Sequence, residues 1–95
     1  TLEVSGLLTE IHLKRIRKRI NAQYNAAFTW EQSFVDYVVN ANNDPLSGGR
    51  ALEAIINKNF LPRLAEECIS RVIDDKILTS ISVTHDGTDV VLNME

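Results

Sequence analysis

Hydrophobic positions in the first segment, LEVSGLLTEIHLKRIRKRINAQYN, recur at helical spacing and predict a helix from about Ser5 or Leu7 to Tyr24. They do not form one stripe. At about 100° per residue, Val4, Leu7 and Ile11 cluster on one side, whereas Leu13, Ile16, Ile20 and Tyr24 cluster nearly opposite. One small core covers only one of these sets. The C-terminal half is expected to pack on the chain's own core. The N-terminal half either offers Leu7, Leu8 and Ile11 to something outside the chain or is a frayed or curved helix end.

Ala26 to Thr29 is short, has Phe28 as its apolar anchor, and suits a brief strand. Thr29 with Gln32 three residues on has capping-box spacing, so a second helix is expected to start there, with Trp30, Phe34, Val35, Val38 and Ala41 on one face. It ends in NANNDP, where asparagine tolerates left-handed turns and proline stops continuation. A third helix is predicted from Ser47 or Gly49 to Asp74. Pro62 inside it removes a backbone hydrogen bond and predicts a kink. Leu52, Ile55, Ile56 and Phe60 share one side. Leu64, Ala65, Cys68, Ile69 and Val72 lie about half a turn away, so a kink is expected to turn both groups inward.

The tail SISVTHDGTDVVLN alternates, and Asp86-Gly87 is a two-residue hairpin signal. A turn there pairs His85 with Thr88, Val83 with Val90 and Ile81 with Leu92. Ile81, Val83, Val90, Leu92 and Met94 then share a face. A lone hairpin is marginal, so it should pack on the helices and pair with the strand near Phe28. The expected class is α+β: three main helices, the third long and kinked at Pro62, on a small sheet of one short strand and a C-terminal hairpin.

Ninety-five residues suit a single domain, here 1–95. The 44% hydrophobic content supports a compact globule rather than disorder. A net charge of −3 argues against bulk attraction to nucleic acid or an anionic membrane. Cys68 is the one cysteine, so no internal disulfide forms. No apolar run approaches the ~20 residues that span a bilayer, and no signal peptide is visible. The start at Thr1 rather than Met reads as an excised domain, with a cytoplasmic setting as the default expectation.

Catalytic motifs are absent. There is no GxxxxGK[ST] or GxGxxG, and His12, Cys68 and His85 are dispersed, so no metal site is expected. Glu66-Glu67 and Asp74-Asp75 are neighbours on a helix, where side chains diverge rather than converge as an acid and a base would. Alone, the chain is expected to catalyse nothing. The run KRIRKR places Lys14, Arg15, Arg17, Lys18 and Arg19 away from the Leu13–Ile16–Ile20 stripe. That is the pattern of a solvated face, of a protein interface, or of a phosphate-backbone contact. No aromatic interleaves with it, as a single-strand binder would need.

NDPLSGGR is the remaining oddity. Glycines are poor helix formers, and an arginine in a first turn faces the positive end of the helix dipole. The junction is either a solvated loop or an anion site. In the second case Gly48 and Gly49 let backbone approach a ligand, and Arg50 forks onto phosphate oxygens.

In this order of elements, Asp44-Pro45 followed by Gly48-Gly49-Arg50 resembles the sensor-2 junction in the C-terminal small domain of Clp/ClpB-type AAA+ ATPases. The likeness covers almost the whole chain. HLKRIRKRI, FTWEQSFVDYVV, the proline-bearing helix and the final hairpin all have family counterparts. Within the family, RALEAIINKNFLPRLAEECISR looks most like the ClpV group of bacterial type VI secretion. One departure is Gly49, where the family usually has alanine or another small residue. The resemblance implies a bacterial, cytoplasmic parent with a large AAA+ domain holding ATP and magnesium, and no cofactor on this part alone. It implies that Gly48, Gly49 and Arg50 form the cofactor-binding junction, with Arg50 reaching the γ-phosphate. It also implies contact with neighbouring subunits of a homo-hexamer, for which Leu7, Leu8, Ile11, Arg15, Lys18 and Arg19 are the candidates. The substrate of a ClpV-like parent would be the contracted secretion sheath, recognised by other domains. Two rivals remain: a stand-alone adaptor domain using the basic helix, and a nucleic-acid module.

Overall fold

Helix α1 (Leu2–Tyr24) turns Thr9, Leu13, Ile16 and Ile20 inward at steps of four, three and four, the spacing of one helical face. The computed structural model describes residues 2–41 and 50–95. Thr9 is fully buried, and its hydroxyl donates to the Ser5 carbonyl at 2.8 Å, so no polar atom there is stranded. Val4, Leu7 and Ile11 stay exposed on the other side, as the two-sided pattern predicts. Leu8 differs from expectation: it is half-buried and packs against the core. α1 closes at Asn25, whose φ of 54° is a left-handed conformation that asparagine tolerates better than most residues.

Strand β1 (Ala27–Trp30) follows, then α2 (Gln32–Ala41). The capping box at Thr29 does not form, because Thr29 and Trp30 are strand residues paired with Ser82 and Val83. The helix starts two residues later, with the Phe34 amide donating to the Glu31 carbonyl at 3.0 Å. Pairing of β1 with a distant strand has overridden a purely local signal. Phe34, Val35 and Val38 are buried as expected, whereas Ala41 is exposed and Trp30 belongs to the sheet.

The long third helix has three parts. α3 (Arg50–Ala54) leads into a π-helical segment (Ile55–Phe60) and then α4 (Leu61–Ile73). Leu52, Ile56, Phe60, Leu64 and Cys68 are all buried, at a constant interval of four. In an α-helix each such step overshoots a turn by about 40°, so the stripe would wind away from the core. The π segment takes more residues per turn and offsets that drift. Its wide turn is closed by the Leu61 amide on the Ile56 carbonyl, five residues back. It lies just before Pro62, which has no N–H and crowds the carbonyl four residues earlier. The interruption predicted from Pro62 is therefore present as a wide turn. It does not bring the whole second group inward: Ala65, Ile69 and Val72 are exposed. α4 ends in a Schellman closure, with Lys76 N–H on the Arg71 carbonyl, Asp75 N–H on the Val72 carbonyl, and Asp75 at φ 58°.

The sheet order is β1-β2-β3, with β2 (Ser80–His85) central. β1 pairs with it in parallel and β3 (Val90–Met94) antiparallel. The hairpin register differs from the expected one. Val83 faces Leu92 and Ile81 faces Met94, and His85 closes the ladder against Val90. The turn thus holds four residues, Asp86 to Asp89, rather than two. The Asp86 carboxylate accepts from the amides of Thr88 and Asp89, both at 2.8 Å, and Gly87 adopts φ 99°. An Asx-type closure is what favours the longer turn. Moving the register by two keeps every side chain on its face. Ile81 and Val83 are buried, and Val90, Leu92 and Met94 pack on the core as expected. The Ser33 hydroxyl accepts from the His85 amide at 3.1 Å and ties α2 to the sheet.

Candidate site at the start of the third helix

Arg50 is the first residue of α3 and is exposed. Two residues on, Leu52 is fully buried, and Ile56 is 1% exposed. The helix is therefore anchored in the core within its first turn, while its opening residue projects outward. Among the described residues no carboxylate lies within ion-pair distance of Arg50; the contact of that kind is His12 Nε2 to Glu53 Oε1 at 4.0 Å. An exposed guanidinium with no carboxylate partner among the described residues suits an incoming phosphate, which it can meet through two parallel N–H bonds. Asp44, Pro45, Gly48 and Gly49 lie outside the described residues.

The other candidates are spread over α1. Leu7 is 62% and Ile11 45% exposed, forming an outward apolar strip with Val4. Lys14, Arg15, Arg17, Lys18 and Arg19 are all exposed, on the side away from the core stripe. They are not equivalent. The Arg17 guanidinium lies 5.5 Å from the centre of the Trp30 ring, a cation–π contact that fastens α1 to β1. Arg19 lines a cavity of about 150 Å³ between α1 and α4, whereas Lys14 and Lys18 border an open groove along β1.

Sequence reasoning missed a second exposed apolar group. Ile69, Val72, Ile73 and Ile77 are 52%, 60%, 76% and 85% exposed along the outer face of α4 and just beyond it. Periodicity by itself does not single this group out, since Val72 follows Cys68 by four residues and so falls on the side of Leu64 and Cys68. The kink at Pro62 predicts Ile69 and Val72 in the core with Leu64 and Cys68, whereas Ile73 and Ile77 belong to neither predicted group.

Cys68 is a buried free thiol, and burial followed by the nearby Glu67 charge raises its pKa. It is a packing residue, not a nucleophile. His85 stacks on Tyr37 at 4.5 Å, and its Nδ1 accepts from the Gly87 amide. It borders a cavity of about 230 Å³ with Phe34, Phe60, Asn59 and Arg63. Among the described residues no group of three or more potential metal ligands exists. No helix among the described residues is long and apolar enough to cross a membrane.

A family model described as the C-terminal, D2-small domain, of ClpB protein matches residues 3–82. The AAA+ ATPase ClpV1 of Pseudomonas aeruginosa is 29% identical over 77 residues. That stretch is 81% of this chain and 8% of the relative, so the chain matches a small part of a much longer protein.

Proposed function

This chain belongs to the family of the C-terminal, D2-small domain of ClpB protein, the small domain of a Clp/ClpV-type AAA+ ATPase, and on that footing we propose that it serves as the lid of a nucleotide site. Magnesium-bound ATP, held on the large domain of the same parent, supplies the phosphoryl group. The task of this chain is to present Arg50 to it. The observation that carries the reading is the exposed Arg50, unpaired with any described carboxylate, on a helix pinned by Leu52. A fixed cation placed where negative charge develops stabilises that charge without reorganising. Loss of the contact after hydrolysis would leave the lid to rotate as a rigid body. Gly48 and Gly49 would let the backbone approach the phosphates.

The exposed strip Val4, Leu7 and Ile11 suits contact with the large domain or a neighbouring subunit. Arg15, Lys18 and Arg19 are the charged candidates for that contact, in a homo-hexameric ring. Similarity to a ClpV protein favours a bacterial cytoplasmic parent that dismantles the contracted type VI sheath, with the sheath protein engaged by other domains. An adaptor role for the basic helix is the second reading, favoured by the outward placement of those cations.

Calorimetry tests the lid role directly. One arginine and a helix end do not supply nucleotide affinity, so this chain should bind ATP negligibly; micromolar binding refutes the reading. In the intact ATPase, Arg50→Ala should slow turnover far more than it weakens nucleotide binding. Equal loss of both would point to misfolding instead.

A further inference from the structure

The π-helical turn Ile55–Phe60 and the β2–β3 hairpin meet at a cavity of about 230 Å³. The turn contributes Ile55, Asn59 and Phe60, and wide turns of this kind recur at functional sites. The apolar lining is aromatic. The Phe34 and Phe60 rings are buried with centroids 4.9 Å apart, and Tyr37 stacks on His85. The charged lining is one cation and one anion, Arg63 and Asp89. Arg63 Nη1 donates to the Val90 carbonyl at 2.8 Å, which fixes the guanidinium one residue along the strand from Asp89 and leaves most of its N–H donors unused. Yet neither Arg63 nor Asp89 has an ion-pair partner among the described residues. His85 Nδ1 accepts from the Gly87 amide, so the ring proton is on Nε2, a further donor at the same cavity.

Opposite charges that border one apolar cavity without meeting suit a ligand that carries both. We propose that this cavity binds a free α-amino acid with an apolar or aromatic side chain. The side chain lies against Phe34 and Phe60, the carboxylate takes the unused donors of Arg63, and the ammonium meets Asp89. A residue inside a polypeptide carries neither backbone charge, so the free amino acid is the form selected. The volume is below the roughly 300–1,000 Å³ of sites for drug-sized molecules, which limits the ligand to about this size. Arg50 does not line the cavity, so the proposal stands apart from the phosphate reading.

The test is an NMR titration of this chain with L-phenylalanine as the probe. Saturable shifts are expected at the amides of Asn59, Arg63, His85 and Val90. 3-Phenylpropionate lacks the ammonium and phenethylamine lacks the carboxylate. Each should bind at least about tenfold more weakly, the lower end of what one hydrogen bond to a charged group contributes. Asp89→Asn should erase the preference for L-phenylalanine over 3-phenylpropionate and keep that over phenethylamine. Arg63→Met should do the reverse. Arg63 also holds the Val90 carbonyl, so the comparison of the three probes on the unaltered chain serves as the arm that no folding defect can blur. No saturable shift at millimolar L-phenylalanine overturns the proposal. Equal binding of the three probes also overturns it, because the cavity would then recognise only the phenyl group.

Discussion

Leu52→Ala is the sharpest test of how the Arg50 turn is held. Leu52 is 0% exposed and belongs to the hydrophobic core cluster. Removing three carbons forfeits roughly 2.4 kcal/mol at about 0.8 kcal/mol per group. Incomplete collapse of the cavity raises the total to about 3–4 kcal/mol. A chain of 95 residues has only about 5–14 kcal/mol of stability, so roughly a fifth or more disappears. In urea denaturation the midpoint should fall while the slope stays the same, since the surface exposed on unfolding hardly changes. Val72→Ala is the matched control. The hydrophobic pattern assigns Val72 to the core, yet it is 60% exposed on α4. Its loss should cost less than about 0.5 kcal/mol, because alanine's better helix propensity offsets part of the lost contact. A Leu52→Ala cost under about 1 kcal/mol, or a Val72→Ala cost above about 1.5 kcal/mol, would contradict the helix phasing set by the π segment.

Asp75→Gly should stabilise the chain by up to about 1 kcal/mol, seen as a higher urea midpoint, because glycine takes the left-handed position that Asp75 holds at φ 58° without a Cβ penalty. Gly87→Ala should lower stability by about 1 kcal/mol through the backbone alone: its φ is 99°, and an added Cβ would meet nothing within 4 Å. The amides of Asp89 and then Thr88 hold the Asp86 carboxyl below its usual range. Its contribution is therefore full above the ordinary carboxylate pKa and disappears as pH falls through the lowered folded value; Asp86→Asn should flatten that part of an acid titration of stability. Cys68 should resist iodoacetamide in the folded chain and react readily in denaturant, because burial both shields the thiol and raises its pKa.

Much of this molecule is set by local pattern. The two faces of α1 follow from where Leu13, Ile16 and Ile20 fall relative to Val4, Leu7 and Ile11. The order of elements and the interruption near Pro62 follow from turn and proline chemistry, and the shared face of the hairpin follows from alternation with period two. The resemblance to a small AAA+ domain rests on the same ordered signals. None of these requires knowing what lies across the core. Other features were decided by contacts distant in sequence. β1 pairs with residues some fifty positions away, and that pairing took Thr29 from its helix cap. The hairpin register depended on how the Asp86 carboxylate met two amides, a choice the Asp-Gly signal leaves open. The phase of the third helix was decided by a wide turn that keeps Leu52 through Cys68 on one core and leaves Ile69 and Val72 in water. Periodicity determines which residues avoid water; only the assembled core determines which of the permitted partners each one meets.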